Sequence, residues 1–336
     1  MFINRFTILM LVLAMSLFFG CSDSTSNDDK ASNFELIQPT VDEMLTAGKG
    51  APISAEALHD NLTNSDASDD YFVVSVRAAS AYEKGHIPGA INIPWKTVAD
   101  DASLAMLPTD KTKKIVVYCY TGHTGALATG VLNALGYDAS NLKFGMCSWT
   151  KNAEVRGTSP FSEETSSDFA TETTVNTPGT YELADPDYVS SQDADEVMQE
   201  AALAYLAGAA ATISAEALHD LITDTDASND PQILSVRASS IYSEQGHIPG
   251  AINIPWKELG QEDNLKKLDP ERDIVVYCYT GHTGGIATAA LNLLGYKATN
   301  LRHGMCGWTK DAAIRGTTPF TEDGTWDFAY NTGTTP

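Results

Sequence analysis

Val116-Val-Tyr-Cys-Tyr-Thr-Gly-His-Thr-Gly125 and Val275-Val-Tyr-Cys-Tyr-Thr-Gly-His-Thr-Gly284 are one ten-residue phrase met twice. Before each cysteine stands a short β-branched run, Ile115–Tyr118 or Ile274–Tyr277, of the length and composition of a buried strand. After it comes a glycine-containing turn. Leu127, Gly130, Val131, Ala134 and Leu135 then fall on one helical face, with Gly136 where a C-terminal cap belongs. Ile286, Ala289, Ala290, Leu293, Leu294 and Gly295 repeat that arrangement. Phe72–Val76 reads as a further strand. Strands interleaved with helices predict an α/β domain with a mostly parallel sheet, whose ligands sit beyond the carboxyl ends of the strands.

The repetition extends well outside this phrase. Ile53–Asp60 returns as Ile213–Asp220, Gly85–Lys96 as Gly246–Lys257, and Arg156-Gly157-Thr158 as Arg315-Gly316-Thr317. The first three blocks recur at offsets of 160, 161 and 159 residues. Such a period marks two tandem domains rather than a solenoid. It also agrees with 336 residues at the usual ~150 per domain. The expected organisation is a signal peptide over residues 1–20, a lipidated flexible tether over 21–33, domain 1 over 34–161, a linker over 162–181 and domain 2 over 182–331. The linker is placed on the Ser-, Thr- and Glu-rich composition of its stretch.

With 43% hydrophobic and 19% charged residues the chain has a globular balance. Its formal charge of −23 repels phosphate backbones, so no nucleic-acid partner is expected. The same charge repels anionic membranes, and attachment to one needs a lipid or a span. Five cysteines are too few for a disulfide scaffold. Residues 6–20 form an apolar run too short to span comfortably, and the run ends in Gly20-Cys21. That ending resembles a bacterial lipobox, which implies cleavage before Cys21 and a diacylglycerol on its sulfur. Losing Arg5, the only charge in residues 1–20, takes the net charge from −23 to −24. The expected location is extracytoplasmic, lipid-anchored on the periplasmic side of a bacterial membrane. Ser22 after the lipidated cysteine favours the outer membrane.

Cys119 and Cys278 each stand between a strand and a helix N-terminus. There, unpaired N–H groups and the helix dipole favour thiolate over thiol. Gly122, Gly125, Gly281 and Gly284 let the loop curl its amides inward into a nest suited to a diffuse sulfur anion. Thr121, Thr124, Thr280 and Thr283 offer hydroxyl donors. His123 and His282 are each read as a cation, a proton donor or a solvated rim residue.

These residues, together with Ser75-Val-Arg77 and Ser235–Arg237, Tyr82…Gly85–Ala90 and Tyr242…Ala251, and Gly145–Trp149 and Gly304–Trp308, make the chain resemble the rhodanese (sulfurtransferase) family as a tandem pair. The resemblance implies a five-stranded parallel sheet flanked by helices in each copy. It also implies a cysteine that takes sulfane sulfur, holds it as a persulfide and passes it to a nucleophile. Cys119 and Cys278 match the nucleophile. Tyr120 to Thr124 and Tyr279 to Thr283 match the cradle. No cofactor and no metal are implied. The partners implied are a small-molecule sulfur donor and a thiol or cyanide acceptor. A protein thiol partner belongs to the alternative reading, a non-turnover persulfide carrier or thiol–disulfide redox module.

Two departures stand out. The family usually has Asp where this chain has Ser75 and Ser235, so a carboxylate that helps order Arg77 and Arg237 is missing. The loop also carries no Arg or Lys, which predicts weak use of dianionic thiosulfate. Phosphatase relatives end a longer loop in Arg, which would grip phosphate bidentately; Gly125 and Gly284 occupy the seventh position here.

Cys147 and Cys306 each lie 28 residues after the first cysteine of their copy. They are read either as resolving thiols, as buried space-fillers or as partners in structural disulfides. A zinc site from Cys119, His123 and Cys147 lacks a fourth ligand at the usual spacing. His86 and His247 are read as turn residues, and Trp95, Trp149, Trp256 and Trp308 as core.

Overall fold

The computed structural model describes residues 30–336. The signal peptide and most of the tether, Cys21 included, lie outside the described residues. In the first half α1 (Asn33–Thr46), β1 (Gly50–Ile53), α2 (Ala55–Thr63), β2 (Phe72–Ser75), α3 (Ala79–Lys84) and β3 (Ile91–Asn92) are followed by α4 (Asp101–Leu104), β4 (Ile115–Tyr118), α5 (His123–Ala134), β5 (Ala139–Leu142), α6 (Met146–Trp149) and α7 (Ala153–Arg156). The second half gives α8 (Ala194–Gly208), α9 (Ala215–Thr223), β6 (Gln232–Ser235), α10 (Ser239–Gln245), β7 (Ile252–Asn253), α11 (Glu262–Leu265), β8 (Asp273–Tyr277), α12 (His282–Leu293), β9 (Lys297–Asn300), α13 (Gly304–Trp308) and α14 (Ala312–Arg315).

Both sheets are parallel, as the alternation of strands and helices predicts. The first runs β1-β5-β4-β2-β3. The second runs β7-β6-β8-β9, with the place of a fifth strand reduced to one parallel bridge between Ile213 and Leu301. The five strands expected in each copy are thus five in one and four in the other. A cleft of about 510 Å³ lies along the shortened edge, lined by Tyr205, Ala209, Ile213, Val275 and Lys297 among others.

The tether was expected to reach residue 33. Instead, Ser32 caps α1, accepting from the Glu35 amide while Glu35 accepts from the Ser32 amide. Phe34, Ile37, Val41, Met44 and Leu45 put the apolar face of α1 into the core. Asn33 then bonds to Tyr188 and Val189 of the other half.

The two halves share a core. One buried cluster runs from Phe34 and Val131 through Met198 to Ile286 and Leu293, while two smaller clusters, around Trp149 and Trp308, cover the outer sheet faces. At the centre α5 meets α12. A Cβ on Gly130 would stand 2.7 Å from that of Ala289, and one on Gly285 2.7 Å from that of Ala126, so these glycines set the helix separation. The leading helix of each half also leans on the other half. Gln38 donates to Gly260 O, and Gln199 donates to Asp101.

The stretch 162–181 is more than a linker. Ser167 N and Phe169 N donate to Gly307 O and Trp308 O, and Glu172 pairs with His247. The chain's last residues return the arrangement: Trp326 N and Phe328 N donate to Ser148 O and Trp149 O, and Asn331 pairs with His86. Residues 325–331, assigned to domain 2 by sequence, therefore lie on the first half. Each half ends in a strap laid over the other.

Candidate active site

β4 delivers Cys119 to the carboxyl edge of its sheet, and Gly122 turns the chain into α5 at φ +88°. The Gly122 amide donates to Cys119 Sγ at 3.1 Å. Gly281, at φ +86°, does the same for Cys278 at 3.1 Å. The nest read from the glycines is therefore a directed amide at the mouth of a twelve-residue helix. Beneath it the Phe144-Gly145 turn holds the loop, with Met146 N donating to Cys119 O and Cys147 N to Tyr120 O. A Cβ on Gly145 would run into Cys119 O. Asn141, which sequence reading did not single out, donates to Gly122 O, and Asn300 donates to Gly281 O. The recurrence of an asparagine four residues before Gly145 and Gly304 in the two copies was the available signal.

Tyr120, Thr121 and Thr124 are half-buried at the mouth, as are Tyr279, Thr280 and Thr283. The sulfur-bearing residues lie deeper, with Cys119 and Cys278 each 2% exposed. The 510 Å³ cleft at the second sheet's edge is not lined by either cysteine loop.

The histidines correct the sequence reading. His123 and His282 are not rim residues; they are 4% and 2% exposed, with their rings stacked 5.6 Å apart between the halves. His123 Nδ1 meets its own Thr121 Oγ1 at 2.8 Å. Its Nε2 lies 3.1 Å from both the His303 amide and Thr280 O of the other half. His282 mirrors this, with Nδ1 2.8 Å from Thr280 Oγ1 and Nε2 accepting from the Phe144 amide at 3.0 Å. Burial holds His123 down at about 4, His282 well below its ordinary value and His303 at about 2. None is a cation at neutral pH, because among the described residues no carboxylate compensates for the lost water.

The positive charge comes from elsewhere. Arg77, with Ser75 where a carboxylate was expected, is held by carbonyls: Nη1 donates to Val155 O and Nη2 to Gly85 O. Its guanidinium lies over the Tyr118 and Tyr120 rings at 5.4 and 5.7 Å. Arg237 repeats this with Ile314 O, Gly246 O, Tyr277 and Tyr279. A second guanidinium, Arg156, is bound to Glu322 of the returning strap at 2.6 Å, and Arg315 to Glu163 at 2.6 Å. Gly157, next to Arg156, packs on Tyr120. Arg156 and Arg315 were noticed in sequence only as part of the repeat.

Cys147 and Cys306 are 1% and 2% exposed, and all four described cysteines are free thiols. Burial pushes Cys147 up to about 12 and Cys306 to about 11. Strap residues cover their carbonyls: Thr325 Oγ1 donates to Cys147 O, and Ser166 Oγ donates to Cys306 O. His86 and His247 are buried where the straps dock, each ring bonded to a carbonyl of the preceding helical turn. Trp149 and Trp308 close the outer cores, whereas Trp95 and Trp256 are only half-buried.

Several known proteins are similar to this chain in sequence. A 284-residue stretch is 26% identical to a Mycolicibacterium smegmatis protein named "Putative thiosulfate sulfurtransferase", covering 76% of this chain and 92% of that one. Among solved structures, a rhodanese-like domain protein from Staphylococcus aureus is 29% identical over 29% of this chain and 87% of its own, at a TM-score of 0.26. A thiosulfate sulfurtransferase from Pseudomonas aeruginosa is 16% identical over 89% of this chain and 70% of its own, at a TM-score of 0.28. The rhodanese-like domain family matches residues 54–152 and again 214–311, more than half the chain. The chain therefore belongs to the rhodanese-like family and carries its domain twice.

Proposed function

We propose that this protein is a sulfurtransferase with Cys119 and Cys278 as its sulfur carriers. The observation that carries the reading is the pair of amides, Gly122 N–H and Gly281 N–H, each aimed at a cysteine sulfur from 3.1 Å at a helix mouth. In the first half-reaction a cysteine thiolate attacks the outer sulfur of a sulfane donor such as thiosulfate. The donor S–S bond breaks, sulfite leaves with the electron pair, and the cysteine becomes a persulfide. In the second, cyanide or a thiolate attacks the outer sulfur and the cysteine thiolate leaves, giving thiocyanate or a new persulfide. The amide stabilises the thiolate at the start and end of the cycle and the inner persulfide sulfur as its charge develops. Arg77, over the Tyr118 and Tyr120 rings on either side of Cys119, supplies a positive charge that the loop itself lacks, whereas Arg156 is neutralised by Glu322.

The experiment is sulfite release from thiosulfate with cyanide as acceptor, paired with intact mass after exposure to sulfur donors. Cys119→Ser with Cys278→Ser is expected to abolish both turnover and the added sulfur mass. Sulfur transfer surviving that double change would reject the assignment.

The depth of both cysteines favours a second reading, a persulfide carrier that unloads only onto a protein thiol. A persulfide that forms but yields no sulfite turnover would select it. The high pKa of Cys147 and Cys306 weighs against resolving thiols, which attack as thiolates, and their setting suits a packing role. Lipid anchoring at Cys21 is part of the proposal on sequence grounds alone. Incorporation of a labelled fatty acid, lost in Cys21→Ser, tests it.

A further inference from the structure

The two cysteine loops are built against each other. A Cβ on Gly122, whose amide meets Cys119 Sγ, would stand 2.5 Å from His282 Nε2 of the other half. The same Nε2 accepts from the Phe144 amide. Phe144 begins the turn that carries Met146 N to Cys119 O, and it sits at φ +65°. His282 thus touches both walls of the first loop. The inverse holds around Cys278. A Cβ on Gly281 would stand 2.6 Å from the His123 ring, and the His303 amide, also at φ +65°, donates to His123 Nε2. A side chain other than glycine rarely takes a left-handed φ unless its surroundings hold it there. Here Phe144 and His303 adopt it at equivalent places, each with its amide on the other half's imidazole.

We propose that His282 and His123 are positioning residues acting in trans: each imidazole fixes the other half's turn so that the Gly122 or Gly281 amide stays aimed at sulfur, and the two sites form one reciprocal unit. The chemistry suits this task. A neutral imidazole whose Nε2 accepts an amide N–H must carry its proton on Nδ1. That N–H donates to Thr280 Oγ1 in the case of His282, which leaves the threonine O–H free to turn toward the Cys278 loop. One ring therefore holds its own loop through a hydroxyl and the opposite loop through a main-chain amide.

The inference rests on the sulfur-carrier reading for its meaning, but its test does not require sulfur transfer. In the full chain, the pH midpoint for iodoacetamide alkylation of Cys119 is read by peptide mass spectrometry in wild type, His282→Leu and His282→Gln. Glutamine presents an acceptor that can meet the Phe144 amide; leucine presents none. The charged groups beside Cys119 and the imidazoles, Arg77, Arg156, Glu322, Lys143 and Arg302, are the same in all three. The expected result is a Cys119 midpoint about one pH unit higher in His282→Leu, or about tenfold less thiolate at a fixed lower pH. His282→Gln should fall within about 0.3 unit of wild type on the same scale. Hydrogen exchange over 119–126, which needs no reagent access, should accelerate about tenfold in His282→Leu and little in His282→Gln. If leucine does not fold, His282→Asn, too short to reach Phe144, replaces it in both comparisons. Equal Cys119 midpoints and equal exchange in the acceptor-bearing and acceptor-lacking variants would overturn the inference. If those shifts appear while wild-type Cys119 accepts sulfur from no donor, the brace stands and the sulfur-carrier reading falls.

Discussion

Gly122→Ala tests how tightly the halves interlock, because the structure provides its own control. Gly122 sits at φ +88°, and an alanine there costs about 1–2 kcal/mol for the left-handed backbone alone. The added methyl would also stand 2.5 Å from His282 Nε2 and 3.0 Å from the Phe144 amide. The imidazole cannot easily swing away, since Nδ1 is held by Thr280 Oγ1 at 2.8 Å and Nε2 by the Phe144 amide at 3.0 Å. Breaking one or two of these bonds in a buried place adds about 1–2 kcal/mol. The expected loss is therefore about 2–4 kcal/mol in all. Gly89 sits at φ +79° with nothing within 4 Å of its would-be Cβ, so Gly89→Ala should lose only the backbone share, about 1–2 kcal/mol. Urea unfolding of both variants, followed by circular dichroism and tryptophan fluorescence, measures the difference. Equal losses would refute the claim that His282 is pressed against the first loop.

Three further outcomes follow from the same geometry. Glu322→Gln should cost about 1–2 kcal/mol and hasten proteolysis of the C-terminal strap, because it unpairs the buried Arg156; the loss stays below that of a fully buried pair since the Glu322 side chain is 54% exposed. His123, ordinarily near 6.5, stays neutral in the fold down to about 4. Between those values the unfolded chain binds the proton and the folded chain does not. The His123 contribution is therefore complete above pH 6.5 and is lost as pH falls toward 4, by about 1.4 kcal/mol per pH unit for one imidazole. Urea midpoints at pH 7 and pH 5 should show that slope reduced in His123→Gln. Cys147→Ala should keep sulfite release within about twofold while lowering stability by about 1–2 kcal/mol, as for a small buried group; a collapse of turnover with stability intact would restore the resolving-thiol reading.

The fold was legible because two independent signals agreed. The β-branched runs before Cys119 and Cys278 place a strand, and the 3.6-residue spacing after them places a helix. The place of each cysteine loop was legible for the same reason, since a cysteine between such elements reaches the sheet edge in either copy. The burial of the histidines was not legible because periodicity marks only one face of α5. In α5 eleven of twelve residues are buried, including Ala126, Ala128 and Thr129 off the expected stripe. A helix without a polar face has a second neighbour to satisfy, and Leu127–Ala134 contains no charged residue. That pattern pointed to an interface running up to His123. The paired glycines Gly130 and Gly285 marked the helix contact, although nothing in one dimension says that they face each other's helix.

The straps were illegible for a different reason, and that reason bears on how the molecule works. Residues 162–181 and 321–335 are polar and aperiodic, so composition assigns them to no core. Their role lies in main-chain bonding to α6 and α13 and in two ion pairs. All of these partners are distant in sequence: Glu322 is 166 residues from Arg156, and Glu163 is 152 from Arg315. A duplicated domain with a trailing segment has two ways to use it, on its own copy or on the neighbour. Here both copies use the neighbour. Opening one strap therefore exposes the other half's second cysteine and frees the other half's buried arginine. Together with the crossed histidines, this means that neither half contains all of the groups that shape its own cysteine loop. A single excised half should then be poorly folded around its cysteine even though its sheet and helices match the family, and a change at Gly122, His123, Gly281 or His282 should disturb both loops at once.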